Sequence, residues 1–600
     1  MSSSSWPARV LQQLRGVNPF GGDCLPSRVP FFAFGRPTLP FPHPWNYREP
    51  IRIFDTFWCG AGKESGAGRH NRYLYVGGFP PVLLTRDPAV IKAVLAVTSD
   101  KPGHFDRDTA PTAGIARATG VDSLLYANGE VWHRQKRAVA EPFSRSNLFQ
   151  PEQFHGFEQT FRKTVHDRLE VLRSRQRASG QKVTRIALEP EIKVVMLEML
   201  VNNFFGGSVD VTELRERFVP ALEMLIDHMV TDTIAPKLKW FSGMFTGRNT
   251  LLKRKKADFE VLVDIALAGR AKCVGAWQQF HSEAPDAALR SNIRVFLAGA
   301  MEATTSFASW AISHLARAPQ VQEQVFAEVK DLDTYDPDNL ASAAMLNRVL
   351  DETVRLTPAL YFLPRRATVD TWIETADHRK MLIPKGAHIA LDVWHANRCE
   401  ELWGTAVTGF PAETFAPERW EFLARKGITP KDMPHFGFGH GPRFCPGRSL
   451  GLLEVGLVVG AMVKIFKFSG VGEPPKARAG VSTKPADGVL VDLELRAEVP
   501  AHPHKHDRRG DKSGHHGHSF ADVESWVARF EGPERDAWQK PDEVVRALLL
   551  NEMESKLAAA RISSDLPFRG ALFKMSSSIP GRPRTGLPEL SPRPPRGHRP

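Results

Sequence analysis

The sequence predicts a mainly α chain with a minor β region, and three observations lead there. Amphipathic helical patterns recur through residues 150–290, as over 157–172 and 251–270. The stretch 293–315 is apolar nearly all round, as a central buried helix should be. Strand-like stretches are few and short: residues 72–84 read as two β segments around Gly77-Gly78, and 388–391 read as one more. Hydrophobic residues form 42% of the 600, which is enough for a sizeable core, and the 24% charged content is that of a soluble globular protein.

The formal net charge of +12 is not gathered into a basic stripe interleaved with aromatics, which argues against a nucleic-acid partner. Five scattered cysteines, Cys24, Cys59, Cys273, Cys399 and Cys445, form no CxxC pair. They argue for a reducing, cytoplasmic compartment and against a disulfide framework or a zinc ribbon. Residues 1–15 carry no apolar stretch of signal-peptide length. No uninterrupted apolar run reaches the roughly 18 residues of a spanning helix, so no transmembrane segment is expected.

Residues 1–45, rich in Ser, Pro, Gly and Phe, read as an irregular arm. Asp87-Pro88 opens a helix over 89–97, with a capping acid before a first-turn proline. Residues 101–123 turn rich in Gly, Thr and Asp. A helix follows over 129–137 and ends before Pro142. Trp132 and Lys136, four apart on it, share a face, so one indole N–H and one cation can reach the same anionic group. The same spacing describes a solvated basic helix anchored by its tryptophan.

The apolar stretch 293–315 carries one acid, Glu302, and the hydroxyls Thr304, Thr305 and Ser306 in its middle. Helix-interior hydroxyls bond back to the i−4 carbonyl, either satisfying their own backbone or loosening it enough to admit water or oxygen. Glu352 and Arg355, three apart before Pro358, form a local ion pair worth less than about 0.5 kcal/mol on a surface. The richest stretch comes last. Phe438, Gly439, Gly441, Arg443, Cys445, Pro446 and Gly447 make a glycine-rich loop that leads into an apolar, helix-like run over 450–463. A thiolate metal ligand needs N–H donors and a positive environment near its sulfur, and a loop feeding a helix N-terminus supplies both. An ordinary buried thiol in a glycine-rich turn is the alternative.

Phe438, Gly441, Arg443, Cys445 and Gly447 fill every fixed position of the loop that binds haem in the cytochrome P-450 superfamily, which this sequence resembles from about residue 70 to 500. The resemblance implies a cytochrome P-450-type haem-thiolate fold holding heme b, with Cys445 as the axial ligand. Trp132, Lys136, Arg365 and Arg443 would hold the propionates, with Arg366 as fallback to Arg365. Glu302, Thr304 and Thr305 would deliver protons, although Ala300 and Ala303 stand where the family usually has Gly and Thr. Glu352, Arg355 and Arg419 would form a buried network behind the haem. The implied activity is a monooxygenase that uses dioxygen to hydroxylate or epoxidise a mostly apolar substrate. No flavin or iron–sulfur domain is recognisable, so electrons would come from a ferredoxin or flavodoxin with its reductase. A peroxide-using or rearranging enzyme and a non-catalytic haem-binding protein are the other readings. Lacking an N-terminal anchor, the sequence resembles a soluble bacterial type.

On this reading residues 46–500 form the haem domain. Residues 501–519 are a His-rich linker, whose histidines can also bind divalent metals. Residues 520–562 form a small helical segment that faintly resembles the lead-in of class I methyltransferases. The strand and glycine-rich loop that should follow are missing, so methyl transfer is not assigned. Residues 563–600 are a disordered Pro/Arg/Gly-rich tail.

Overall fold

A computed structural model describes residues 70–497 except 75–81, 97–104, 141–150, 233–240, 242, 270–285, 333–341 and 431, with a few short pieces before residue 60. The chain divides into two units, Met1–Trp538 and Gln539–Pro600, and everything described belongs to the first. The expected linker, helical segment and tail lie outside the described residues, as does most of the N-terminal arm.

Helices dominate. In chain order the principal ones are α1 (Pro88–Ala96), α2 (Gly129–Ala140), α3 (Pro151–Ala178), α4 (Glu189–Glu198), α5 (Val219–Asp232), α6 (Arg248–Ala268), α7 (Asp286–Leu315), α8 (Pro319–Val329), α9 (Ala344–Leu356), α10 (Glu418–Arg425) and α11 (Arg448–Ile465). Asp87 caps α1 as expected, its Oδ1 accepting the Ala89 N–H at 2.9 Å. Central α7 packs against α4, α6, α9 and α11. Its burial follows from its composition: an apolar surface on every side can be removed from water only by neighbours on every side. The same holds for α11, in which every residue from Leu450 to Val463 is buried. Each such Leu or Val is worth roughly 1.5–3 kcal/mol against exposure.

The minor β region begins with β1 (Asn71–Leu74), β2 (Val82–Thr85), β3 (Phe105–Arg107), β4 (Val183–Ala187), β5 (Phe362–Ala367) and β6 (His388–Asp392). It ends with β7 (Phe466–Gly470), β8 (Ala477–Ala479), β9 (Thr483–Pro485) and β10 (Leu490–Leu495). One sheet runs β1-β2-β6-β5-β3, with the short strand Pro26–Ser27 beyond β1. The β2–β6 pairing is parallel and β6–β5–β3 is antiparallel, which sets Arg107 opposite Arg365. A second sheet runs β7-β10-β4, and β8 and β9 form a hairpin of their own.

Behind the sheet, Glu352, Arg355 and Arg419 are fully buried. Arg355 grips Glu352 with two bonds, Nε to Oε2 at 2.8 Å and Nη2 to Oε1 at 2.7 Å, and Arg419 Nε reaches Oε1 at 3.3 Å. The remaining guanidinium N–H groups donate to backbone carbonyls of Asn397, Trp403, Phe410, Pro411, Ala412 and Thr414. The spacing pair thus belongs to a desolvated network, where removing one member costs about 3–5 kcal/mol instead of a few tenths.

At the end of α7 the His314 ring stacks on Phe415 at 4.5 Å and on Trp310 at 5.6 Å, with Nε2 3.2 Å from the Thr357 hydroxyl. Burial and the nearby Arg398, Arg355 and Arg317 push it down to about 3, and burial with Arg448 does the same to His435. An unfolded histidine protonates near 6.5, so below that pH the unfolded chain takes up protons that the fold refuses, and stability falls. Asp351 and Glu454, pushed up by burial to about 7 and about 8, act in the opposite sense and mask the total slope. His314→Phe, which keeps the stacking, should therefore lose about 2 kcal/mol less stability than the parent between pH 7 and pH 5. Urea unfolding of both proteins at the two pH values measures this, and parallel pH dependences would refute the buried neutral ring.

Candidate active site

The cysteine loop lies between α1 and α11. Its path needs glycine at two positions: Gly439 and Gly441 have φ of 81° and 66°, and a Cβ on Gly441 would stand 2.3 Å from the Leu95 carbonyl oxygen. Backbone bonds from Phe444 N–H to Gly441 O at 3.0 Å and from Cys445 N–H to Phe438 O at 2.9 Å close the loop. Gly451 N–H then donates to Gly447 O at 2.8 Å and starts α11. Cys445 is half-buried and forms no disulfide. Burial pushes its thiol up, while the Gly447 backbone N–H and Arg448 pull it down. Those two favour the thiolate, as the loop's composition suggested.

Beside the loop, positive charge collects without matching negative charge. Arg443 stacks on Trp132 at 4.4 Å, and Lys136 lies 5.0 Å from the same ring. Arg443 Nη2 donates to Ala127 O at 2.7 Å and to Asn128 Oδ1 at 3.0 Å, but its Nη1 is buried without a hydrogen-bond partner. The Arg107 Nε is likewise buried and unpaired. Arg365 is buried, with one bond of 2.9 Å from Nη1 to Pro364 O. Burial presses on all three and neighbouring arginines on two: Arg443 falls to about 9, Arg365 falls well below the usual range, and Arg107 falls by burial. The acid influencing Arg443 is Asp106, which burial itself pushes up. Three guanidinium groups and the Lys136 ammonium stand against the one carboxylate of Asp106, and the surplus of positive charge suits an anionic ligand.

Across α7, Gly299, Ala300, Ala303 and Thr304 are only partly buried in a helix whose flanking turns are buried. They fall at i, i+1, i+4 and i+5, one face of the helix. A Cβ on Gly299 would meet nothing within 4 Å, and the Thr304 methyl lies 3.8 Å from where a Cβ on Gly451 would be, so this stripe borders open space near the start of α11. Thr304 Oγ1 donates to Ala300 O at 2.9 Å.

Comparison with known proteins decides what this arrangement is: the family described as Cytochrome P450 matches residues 72–490. The chain belongs to the cytochrome P450 family. Similar proteins include a cytochrome P450 monooxygenase alt2 of Alternaria solani, 26% identical over 68% of this chain and 79% of the relative. A cytokinin hydroxylase of Arabidopsis thaliana is 25% identical over 66% and 75%, and the monooxygenase sphH of Aspergillus fumigatus 25% over 70% and 80%. The chain is accordingly a haem-thiolate monooxygenase, an oxidoreductase. These relatives are eukaryotic, so the expected bacterial type has no support from them. The family match ends at residue 490, and the methyltransferase likeness beyond it has none either.

Cytochrome P450 proteins bind haem through a cysteine thiolate, and the residues here fit that group. The thiol is half-buried on its loop, two buried guanidinium atoms lack hydrogen-bond partners, and the stripe on α7 leaves room against a flat ligand. Trp132, Lys136 and Arg443 come together as expected, and Arg365 stands close enough to Arg443 to be depressed by it. Sequence reasoning missed Arg107, whose only signal was one arginine ending a short stretch opposite the Arg365 strand.

The three residues expected to deliver protons separate. Only Thr304 lies on the accessible stripe. Thr305 is fully buried, and its hydroxyl has no hydrogen-bond partner. Glu302 is buried on another side of α7, where it accepts from Lys484 Nζ at 2.6 Å and Ser482 Oγ at 2.9 Å, both at the β8–β9 hairpin. Lys484→Met should leave this buried carboxylate with the Ser482 hydroxyl but no counter-charge and destabilise the fold by about 3–5 kcal/mol. Adding Glu302→Gln should restore much of the loss. Chemical unfolding of the single and double variants reads the coupling, and an unchanged Lys484→Met would mean that the pair is screened by water.

Proposed function

We propose that residues 46–500 form the monooxygenase domain and that Cys445 is its axial haem ligand, with Arg107, Arg365, Arg443, Trp132 and Lys136 around the propionates. The observation that carries this reading is the juxtaposition of a thiol on a glycine loop with buried guanidinium groups that outnumber the nearby carboxylates. When bound, the haem iron under thiolate donation supplies reductive activation of dioxygen for oxidation of a C–H or double bond. The protein's own residues then orient and protonate. Arg443 would tie one propionate to the cysteine loop and to Trp132, and Arg107 and Arg365 would neutralise charge from the β3–β5 edge. The small, mostly apolar faces of Gly299, Ala300 and Ala303 suit an apolar substrate. Thr304 is the hydroxyl placed to hold or pass a proton at Oγ1, a role for which Ala303 has no atom. Glu302, held by Lys484 and Ser482, positions the helix.

Electrons would come from a ferredoxin or flavodoxin with its reductase. Support lies in the exposed Arg134 and Arg137 on α2, the helix that carries Trp132, since an acidic carrier docking there would meet complementary charge close to the site. A cytoplasmic location is supported by the absence of a disulfide at Cys399 and Cys445. Among the described residues no helix is long and apolar enough to cross a membrane.

The test is the carbon monoxide difference spectrum of the reduced protein. A thiolate-type Soret band should be present in the parent and absent in Cys445→Ala; its survival in that variant would move the ligand elsewhere. In Arg107→Gln the band should remain while haem transfers to an acceptor protein at least about tenfold faster, as expected for losing one charge-assisted bond of about 1.5–3 kcal/mol. Unchanged transfer would remove Arg107 from the propionate set.

A further inference from the structure

A second thiol, far from the cysteine loop in sequence, has surroundings of another kind. Cys399 is buried, and one donor atom each from Cys399, His70 and Glu401 lie within 4.8 Å of one another. His70 Nε2 and Glu401 Oε2 are already 2.7 Å apart. Sulfur, imidazole nitrogen and carboxylate oxygen are the donors that zinc takes, at about 2.3 Å to sulfur and about 2.0–2.2 Å to nitrogen and oxygen. We propose that His70, Cys399 and Glu401 form a zinc site, with water in the fourth position.

The geometry supports it in three ways. Tetrahedral ligands around zinc stand roughly 3.3–3.8 Å apart at those bond lengths, so donor atoms within 4.8 Å of one another are within about 1 Å of that spacing. The side chains are graded from a buried sulfur to a Glu401 that is 37% exposed, with His70 at 17%, which gives the ion a path from solvent. The ligands also come from two segments that the fold must join. His70 immediately precedes β1, at one side of the larger sheet, whereas Cys399 and Glu401 lie between Asn397 and Trp403, whose carbonyls accept from Arg355 and Arg419. Bound zinc would therefore clamp the sheet to the segment that satisfies the buried arginines. On binding, the Cys399 thiol gives up its proton to solvent, His70 coordinates as the neutral imidazole and Glu401 as the carboxylate, with no change of oxidation state.

Zinc K-edge absorption of the haem-loaded full chain, given one equivalent of zinc chloride, tests the site. The parent should show one sulfur scatterer at about 2.3 Å with nitrogen or oxygen at about 2.0–2.2 Å. In Cys399→Ser the sulfur should vanish while the carbon monoxide band is kept, which also separates this site from the haem ligand. Zinc taken up by the histidine-rich stretch 502–518 would show nitrogen and oxygen only, and that spectrum from the parent overturns the proposal. So does a sulfur shell that persists in Cys399→Ser. If that variant does not fold, His70→Ala must weaken zinc retention against a chelator at least tenfold, and unchanged retention refutes the site.

Discussion

The irregular chain between Asn397 and Ala416 depends on one carboxylate that water cannot reach. Glu352 is fully buried, as are Arg355 and Arg419 on either side of it. A desolvated charge has no hydration shell to fall back on, so each of its partners must be held at bonding distance by the fold. The guanidinium groups need carbonyls as well as the carboxylate, and those come from the irregular chain between Asn397 and Thr414. That chain has little regular structure of its own, and its course is set by where the arginine N–H groups point. Helices α9 and α10 and this meander are thereby fixed relative to one another, and Ala416 N–H adds a bond to the same Glu352 Oε1 at 3.1 Å.

The two groups of arginines differ in how far their donors are satisfied. Around Glu352 the Nε and Nη atoms of both arginines have acceptors. Beside the cysteine loop, Nε of Arg107 and Nη1 of Arg443 are as deeply buried but have none. Leaving a buried donor unpaired costs about 1–3 kcal/mol, more for a charged one. A fold that carries this cost twice in one place, next to a third buried arginine, is organised around a ligand that removes it.

The loop was legible from its own residues, whereas the Glu352–Arg355 pair and its partner Arg419 were legible only through the family resemblance, because two charges three apart on a helix are common. Periodicity found the helices, and α7 and α11 in particular, because a helix apolar on all sides has one destination. What could not be read was anything depending on which strand lies beside which. Arg107 matters because β3 pairs with β5 at Arg365, and a single arginine after a Gly/Thr/Asp-rich stretch carries no sign of that. Lys484, 182 residues from Glu302, is hidden for the same reason. The family spacing groups Glu302 with Thr304, whereas a period of 3.6 puts the small residues 299, 300 and 303 with Thr304 on one side and turns Glu302 away.

That separation bears on the chemistry attributed to Ala303. If Glu302 faced the open stripe, loss of a hydroxyl at 303 would break an acid–alcohol pair and argue for unusual chemistry. With Glu302 committed to Lys484 and Ser482, no such pair exists to be broken. Thr304 stands on the accessible side, and its hydroxyl bonds the Ala300 carbonyl one turn earlier. That carbonyl is shared between the hydroxyl and the helix ladder, the arrangement that loosens a helix locally. Thr304 therefore puts a hydroxyl on the open stripe one position later than the family spacing suggests. The alanine at 303 then adds to the small residues of that stripe without removing its hydroxyl.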